Sequence, residues 1–362
     1  MTLALPPTPS GLDPATLTAA LTDGGLVAGT PCQVLDVRID PLAAGTAFLG
    51  LLARLEVTYA DPDTPLPTRL IAKTPTTDPG GRSVGQMLNV WAREARFYER
   101  LATRIDTPVP ACRANFLDGN NALLILDDLH PAAPGDQVAG ADIDQARAAV
   151  IALAELHAPF WGRPRTEDLR WVPGLDLPGT SDALGAAMAA ALPRFVERFG
   201  ERLPDDGLDL LHRFVPRLGE WRTDLTTRPL TIAHADYRLE NMLFDGAAVT
   251  VIDWQTAMYT GGPTDLSFFL ATNLDIGLRR AHEADLVDLY VTTLHRSGVD
   301  QSDTGHVADD YATAHLWWMG MLANNLSSID TPDERSAALF DAMLTRLYAA
   351  ALDGDSGRWL DR

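Results

Sequence analysis

His234-Ala-Asp236-Tyr-Arg238-Leu-Glu-Asn241 is followed, twelve residues beyond Asn241, by Asp253-Trp-Gln, and these two segments decide how the chain reads. A short apolar piece, 230–233, leads into the first, and another, 249–252, leads into the second. Each segment therefore sets carboxylate or amide oxygens at the end of a short strand, where loop side chains can converge on one site. Asn241 and Asp253 offer hard oxygen ligands of the kind Mg²⁺ takes alongside substrate phosphate. Asp236 is then left to accept a proton from an attacking hydroxyl. Taken singly, each of the three reads as a turn residue or a strand-end cap. Their joint spacing, together with a second strand-end acid, points to chemistry.

Outward from this centre, helical periodicity runs through 146–160, 182–199, 208–224, 265–272, 276–297, 304–326 and 332–351. Upstream the pattern changes. A helix is expected over 14–29, with Leu17, Leu21 and Leu26 as its stripe, then strands over 33–39, 49–59 and 69–73. A helix over 84–104 carries Leu88, Trp91, Ala95, Tyr98 and Leu101 on one side, and a buried strand follows at 121–126. Strands with one helix first and helices afterwards is an α+β order, not alternating βα.

A length of 362 residues suits two domains or one two-lobed enzyme. Apolar residues make up 46% and charged residues 22%, the balance of an ordinary globular protein. Basic residues number 29 against 49 acids, a net charge of −20. That field repels polyanions, so nucleic acid and anionic membrane surfaces are not expected partners. A small phosphate ligand can still be held locally. No apolar run reaches the length of about 18–20 residues that spans a bilayer. The first nine residues lack a basic region and are broken by prolines, and Cys32 and Cys112 are too few for a disulfide framework. A cytoplasmic setting follows as the expectation. Of the 29 basic residues only one, Lys73, is a lysine. Where arginine serves almost everywhere, a residual lysine can mark a place that needs a compact ammonium; chance is the plain alternative.

His-x-Asp-x-x-x-x-Asn followed by a strand and Ile-Asp-Trp-Gln resembles the catalytic and metal loops of the aminoglycoside phosphotransferase family within the protein-kinase-like superfamily. The run Gly-Gly-Pro-Thr-Asp265-Leu-Ser-Phe-Phe-Leu is most similar to its ecdysteroid-kinase-like, choline/ethanolamine-kinase-like branch. The resemblance covers roughly residues 25–350. It implies a two-lobed fold: an N-terminal extension or helix at 1–24, an antiparallel sheet lobe at 25–126, a hinge at 127–131 and a helical lobe at 132–362. By position, Asp236 resembles the catalytic base, and Asn241 and Asp253 the two Mg²⁺ ligands. His234 resembles a loop-supporting residue, and Asp265 one that braces the loop through its backbone. Arg238 stands where protein kinases carry a lysine to the transferred phosphate; it either does that as a bidentate donor or pairs with a nearby acid.

In the same resemblance Lys73, in Leu-Ile-Ala-Lys, holds the α- and β-phosphates, and Glu94 on the following helix holds Lys73. Glu99 is the competing acid, but five residues on it faces another way. No Gly-x-Gly-x-x-Gly is present, so backbone N–H groups of Gly45, Thr46 and Ala47 are the candidates to cradle phosphate, with an ordinary hairpin turn as the alternative. Asp127 and Leu129 resemble the hinge positions whose backbone meets adenine. Trp317, Trp318, Met319 and Met321 read as core or as the wall of an acceptor pocket. The implied function is transfer of a γ-phosphoryl group from ATP, or GTP, with Mg²⁺, to a hydroxyl of a small acceptor such as an aminoglycoside-, choline- or steroid-like alcohol. The alternative is a nucleotide-binding regulatory pseudokinase without turnover. A protein kinase is disfavoured, because Asp-Phe-Gly and Ala-Pro-Glu signatures are absent.

Overall fold

The computed structural model describes residues 3–42, 49–177, 180–329 and 333–362. The chain divides into two compact units: Met1–Arg104 with Pro108–Pro131 and Val251–Thr256, and Ile105–Thr107 with Ala132–Thr250 and Ala257–Arg362. The class is α+β, as expected.

The first unit is built on a five-stranded antiparallel sheet in the order β1 (Val34–Pro41), β2 (Gly50–Tyr59), β3 (Arg69–Pro75), β5 (Asn121–Asp127), β4 (Cys112–Asp118). Helix α1 (Pro14–Asp23) starts where Asp13 accepts the Thr16 N–H, with Pro14 at its first position, and stops at left-handed Gly24. Its Leu17, Ala20 and Leu21 are fully buried in a cluster with Leu55, Leu70, Ala72, Leu123 and Ile125 of the sheet. Residues 14–23 are therefore part of the sheet unit's core and not an appendage. The helix expected over 84–104 is two helices, α2 (Pro79–Leu88) and α3 (Val90–Arg100), broken at left-handed Asn89. Gly85 makes the fold-back possible: a Cβ there would stand 2.5 Å from the Trp91 ring. The Trp91 indole in turn donates to the Leu49 carbonyl at 2.8 Å. Successive residues of β4 point opposite ways, Ala114 into the α1 cluster and Asn115 toward α3, where it donates to the Ala95 carbonyl.

The second unit is helical. Its α4 (Ile143–His157) opens with a capping box from Asp142 and Gln145. Then come α5 (Thr180–Phe199), α6 (Asp205–Phe214) and α7 (Leu218–Thr226). The last two replace the single helix expected over 208–224, with Pro216 in the break. Two short ladders follow: β7 (Thr231–Ala233) pairs with β10 (Met258–Thr260), and β6 (Ala133–Pro134), β8 (Met242–Asp245) and β9 (Ala248–Val251) make a three-stranded patch. At the centre lies α8 (Pro263–Asn273), buried at every residue, with α4, α9 (Ile276–Arg296), α10 (Val307–Ser328) and α11 (Glu334–Asp353) packed around it. Trp318 of α10 stacks on Phe268 and donates to the Thr264 carbonyl, while Trp317 stacks on Trp221. Both belong to the core. Among the described residues no helix is long and apolar enough to cross a membrane.

Leu17→Ala is expected to cost about 2–4 kcal/mol in urea unfolding, because it empties a closed site under α1. A loss below about 1 kcal/mol would show α1 to be peripheral.

Candidate active site

The chemistry-bearing residues fall into two groups, one in each unit. The first begins with Lys73 on β3, in register with Leu52 on β2 and Leu124 on β5. Flanked by strands on both sides, its ammonium is held away from water at 7% exposure. Nζ donates to the Glu94 carboxylate at 2.8 Å and to Asp253 Oδ1 at 2.9 Å. Glu94 projects from α3 and is buried, whereas Glu99 pairs with neighbouring Arg100. Burial alone would make Lys73 easier to deprotonate, but Asp253 and Glu94 together raise its pKa above the ordinary lysine range. Burial pushes the Glu94 carboxyl up, with Lys73 opposing and Asp253 adding to the rise. One ammonium thus faces two carboxylates.

Asp253 reaches Lys73 from a left-handed backbone, φ 65°. That is an uncommon conformation for a residue with a side chain, and it marks a functional constraint more often than chance. The next residue fixes it: Trp254 stacks flat on Phe97 of α3, with centroids 3.8 Å apart. Gln255, also buried, lies on the same turn, and a Cβ at Gly50 would sit 3.4 Å from Lys73 Cε and 3.9 Å from Gln255 Nε2.

The second group is the loop after β7. Ala235 is left-handed there, φ 60°. Asp265 at the start of α8 explains how the loop tolerates it: its two carboxylate oxygens accept the backbone N–H groups of His234 at 2.6 Å and Ala235 at 2.9 Å. Asp265 is fully buried, with His157 Nε2 3.4 Å away and the Tyr290 hydroxyl 2.6 Å from His157 Nδ1. His234 is itself buried, and its Nδ1 accepts the Asp236 backbone N–H at 3.3 Å.

Asp236 Oδ2 takes Nδ2 of Asn241 at 2.9 Å and Nε of Arg238 at 3.2 Å. No described residue donates to its Oδ1. Arg238 also pairs with Glu240; burial opposes its charge, and Asp236 and Glu240 hold its pKa above the ordinary arginine range. Asn241 spends its amide nitrogen on the carbonyl and carboxylate of Asp236, so its Oδ1 has no described donor. That oxygen is a hard donor of the kind a divalent cation takes, and so, in the other unit, is the carboxylate of Asp253, whose side chain is 37% exposed. Asn241 enters β8, and Asp253 stands two residues past the end of β9, the neighbouring strand. Among the described residues no group of three or more His, Cys, Asp or Glu could hold a metal.

At the other sequence candidates, Asp127 ends β5 with its carboxylate gripped by Arg113 through two 2.7 Å bonds and its N–H donated to the Ala111 carbonyl. Leu129 follows it, half-buried. Gly45, Thr46 and Ala47 lie outside the described residues. The sequence reading passed over Glu240, Gln255, His157 and Tyr290. Only Glu240 left a local signal, an acid two residues after Arg238.

Asp265→Ala leaves two buried backbone donors without an acceptor. It is expected to cost about 2–4 kcal/mol of stability in urea unfolding. A cost below about 0.5 kcal/mol would show the brace to be idle.

The profile of the phosphotransferase enzyme family matches residues 79–296, more than half of the chain. Among solved structures, a choline/ethanolamine kinase family protein from Mesorhizobium loti is similar at 16% identity over 90% of this chain and 91% of that one, with a TM-score of 0.50. A choline kinase from Cryptosporidium parvum Iowa II is similar at 11% identity over 90% and 94%, also at 0.50. At such identities the likeness is one of fold. A comparison with curated proteins finds no match. With the family profile running through β5, the Asp236 loop, Asp253 and the Asp265 brace, the chain belongs to the phosphotransferase enzyme family.

Proposed function

We propose that the chain is a small-molecule kinase that transfers the γ-phosphoryl group of ATP to a hydroxyl of a small acceptor. The observation that carries this reading is Lys73: the only lysine of the chain is buried on β3, with its ammonium between Glu94 and Asp253. A compact cation held in place by two carboxylates suits phosphate oxygens, and a planar guanidinium would not reproduce that geometry.

In this reading Lys73 contacts the nucleotide phosphates while Glu94 fixes its direction. Asn241 and Asp253 hold Mg²⁺, which when bound neutralises charge on the transferring group. Asp236 offers Oδ1 to the acceptor hydroxyl, because Oδ2 is already committed to Asn241 and Arg238. It orients the hydroxyl and takes its proton late in the transfer, as the new P–O bond forms and the bond to the leaving ADP breaks. Asn241 and the Asp265-braced backbone keep that carboxylate from turning. Arg238 is close enough to the base to meet charge on the transferred group. Most of the rate then comes from positioning and charge stabilisation. The backbone of Asp127 and Leu129 receives adenine, and Gly45, Thr46 and Ala47 cover the phosphates.

An ADP-release assay with MgATP over a panel of hydroxylated amines, sugars and apolar alcohols tests the reading. Nucleotide binding without turnover of any acceptor would leave the regulatory pseudokinase in its place. Asp236→Asn is expected to abolish turnover with nucleotide affinity held within about 2-fold; unchanged turnover rejects Asp236 as base. Lys73→Arg is expected to cost about 10²-fold or more in kcat/KM, and a fully active variant would remove the case for a compact ammonium.

A further inference from the structure

The turn that carries Asn241, the 3₁₀ helix Leu239–Asn241, begins without a cap of its own. The first N–H groups of a helical turn lack an intrahelical acceptor, and a polar side chain just before the turn usually supplies one. Here that place belongs to Arg238, whose guanidinium can only donate. The Leu239 N–H is buried all the same, and its acceptor comes from 34 residues further along the chain: Asn273 Oδ1, at 2.9 Å. Asn273 is the last residue of α8 and is fully buried. Its neighbours decide which way its amide faces. Nδ2 donates to the Phe269 carbonyl at 3.2 Å and to Thr272 Oγ1 at 3.0 Å, so the oxygen is turned to the Leu239 N–H. Thr272 Oγ1 is held as well, donating to the Phe268 carbonyl at 2.7 Å and accepting from Gln137 Nε2 at 3.3 Å. On the far side of Leu239, its carbonyl accepts the N–H groups of Gly135, at 3.1 Å, and of Met242. The Asn241 N–H closes the turn on the Arg238 carbonyl at 2.9 Å. From there Asn241 Nδ2 reaches both the carbonyl and Oδ2 of Asp236, each at 2.9 Å.

We propose that Asn273 is a positioning residue for Asp236: from the end of α8 it caps the turn 239–241, and that turn delivers the Asn241 amide to the Asp236 carboxylate. This rests on the phosphoryl-transfer reading. Asp265 and Asn273 stand about two turns apart on one helix. The helix therefore grips the loop on both sides of Asp236, through His234 and Ala235 before it and through Leu239 after it. Asn273 touches no reacting atom in this account. Without its oxygen the Leu239 N–H is buried and unpaired, the turn opens to find another acceptor, and Asn241 loosens its hold on Asp236.

Leu239→Pro separates this role from the bonds Asn273 makes within α8. Proline has no N–H to cap and suits the first position of a helical turn. Arg238, at φ −136° and ψ 159°, already has the extended backbone that precedes proline. The test uses the full chain. In nucleotide-free protein, Asn273→Ala is expected to speed exchange with water of the Leu239 N–H and of the Asn241 side-chain amide, the latter assigned by its disappearance in Asn241→Ala. Both should accelerate about 10-fold more than the Leu270 N–H in the middle of α8. An unchanged Asn241 amide overturns the proposal. So does equal acceleration at Leu270, which would show a general loss of stability. With MgATP and an acceptor found in the panel above, Asn273→Ala should lower kcat about 10-fold in the wild-type background and less than about 3-fold in Leu239→Pro. Equal losses in the two backgrounds overturn the cap. Wild-type protein that turns over no acceptor sinks the kinase reading instead, and the exchange measurement then decides the cap by itself.

Discussion

A buried carboxylate that spends both oxygens on backbone N–H groups is the constraint from which the loop after β7 takes its form. Asp265 meets the two consecutive amides of His234 and Ala235, and Ala235 holds a left-handed conformation that its side chain disfavours. Buried donors must be paired, so those two amides tie the loop to α8, a helix enclosed along its whole length. His157 Nε2 stands 3.4 Å from that carboxylate, and the Tyr290 hydroxyl holds the far side of the His157 ring. With the backbone set in this way, Asp236 and Asn241 are left to interact with each other.

Charge accounting gives each unit a different character. In the sheet unit, one ammonium lies between two acids. In the helical unit, arginines and acids alternate from Asp236 outward. A buried ion pair is weak evidence of stability, because desolvation cancels much of the attraction. Such pairs are better read as geometry: each holds a polar atom where it would not otherwise rest. The Trp254–Phe97 stack does the same with apolar surface, fixing the turn that presents Asp253.

The residues of the candidate loop stood out in the sequence because their pattern is local. Asp236, Asn241 and Asp253 stand at strand ends that the apolar pieces announce, and Lys73 is conspicuous through being alone of its kind. The misses have physical reasons. Strand β4 escaped notice because Asn115 breaks its apolar alternation, although that side chain is fully buried and its amide nitrogen donates to the Ala95 carbonyl. The division of α2 from α3 was hidden because Leu88 and Trp91 continue one apolar stripe across a break that a single left-handed Asn89 creates. Glu240 was visible as a charge, but its partner Arg335 is brought to it only by tertiary folding. His157 gave no sign at all: a histidine at a helix end looks ordinary until the acid behind it is known.

The lone lysine has a consequence for the outer face of the protein. Every other basic side chain is a guanidinium, and the single ε-amino group is enclosed by strands and acids. The exterior therefore offers no lysine to acylating reagents, amine-directed crosslinkers or enzymes that modify lysine. An amine-reactive probe would therefore meet one ε-amino group in the whole chain, and apart from the α-amino terminus modification would report on that single position of β3.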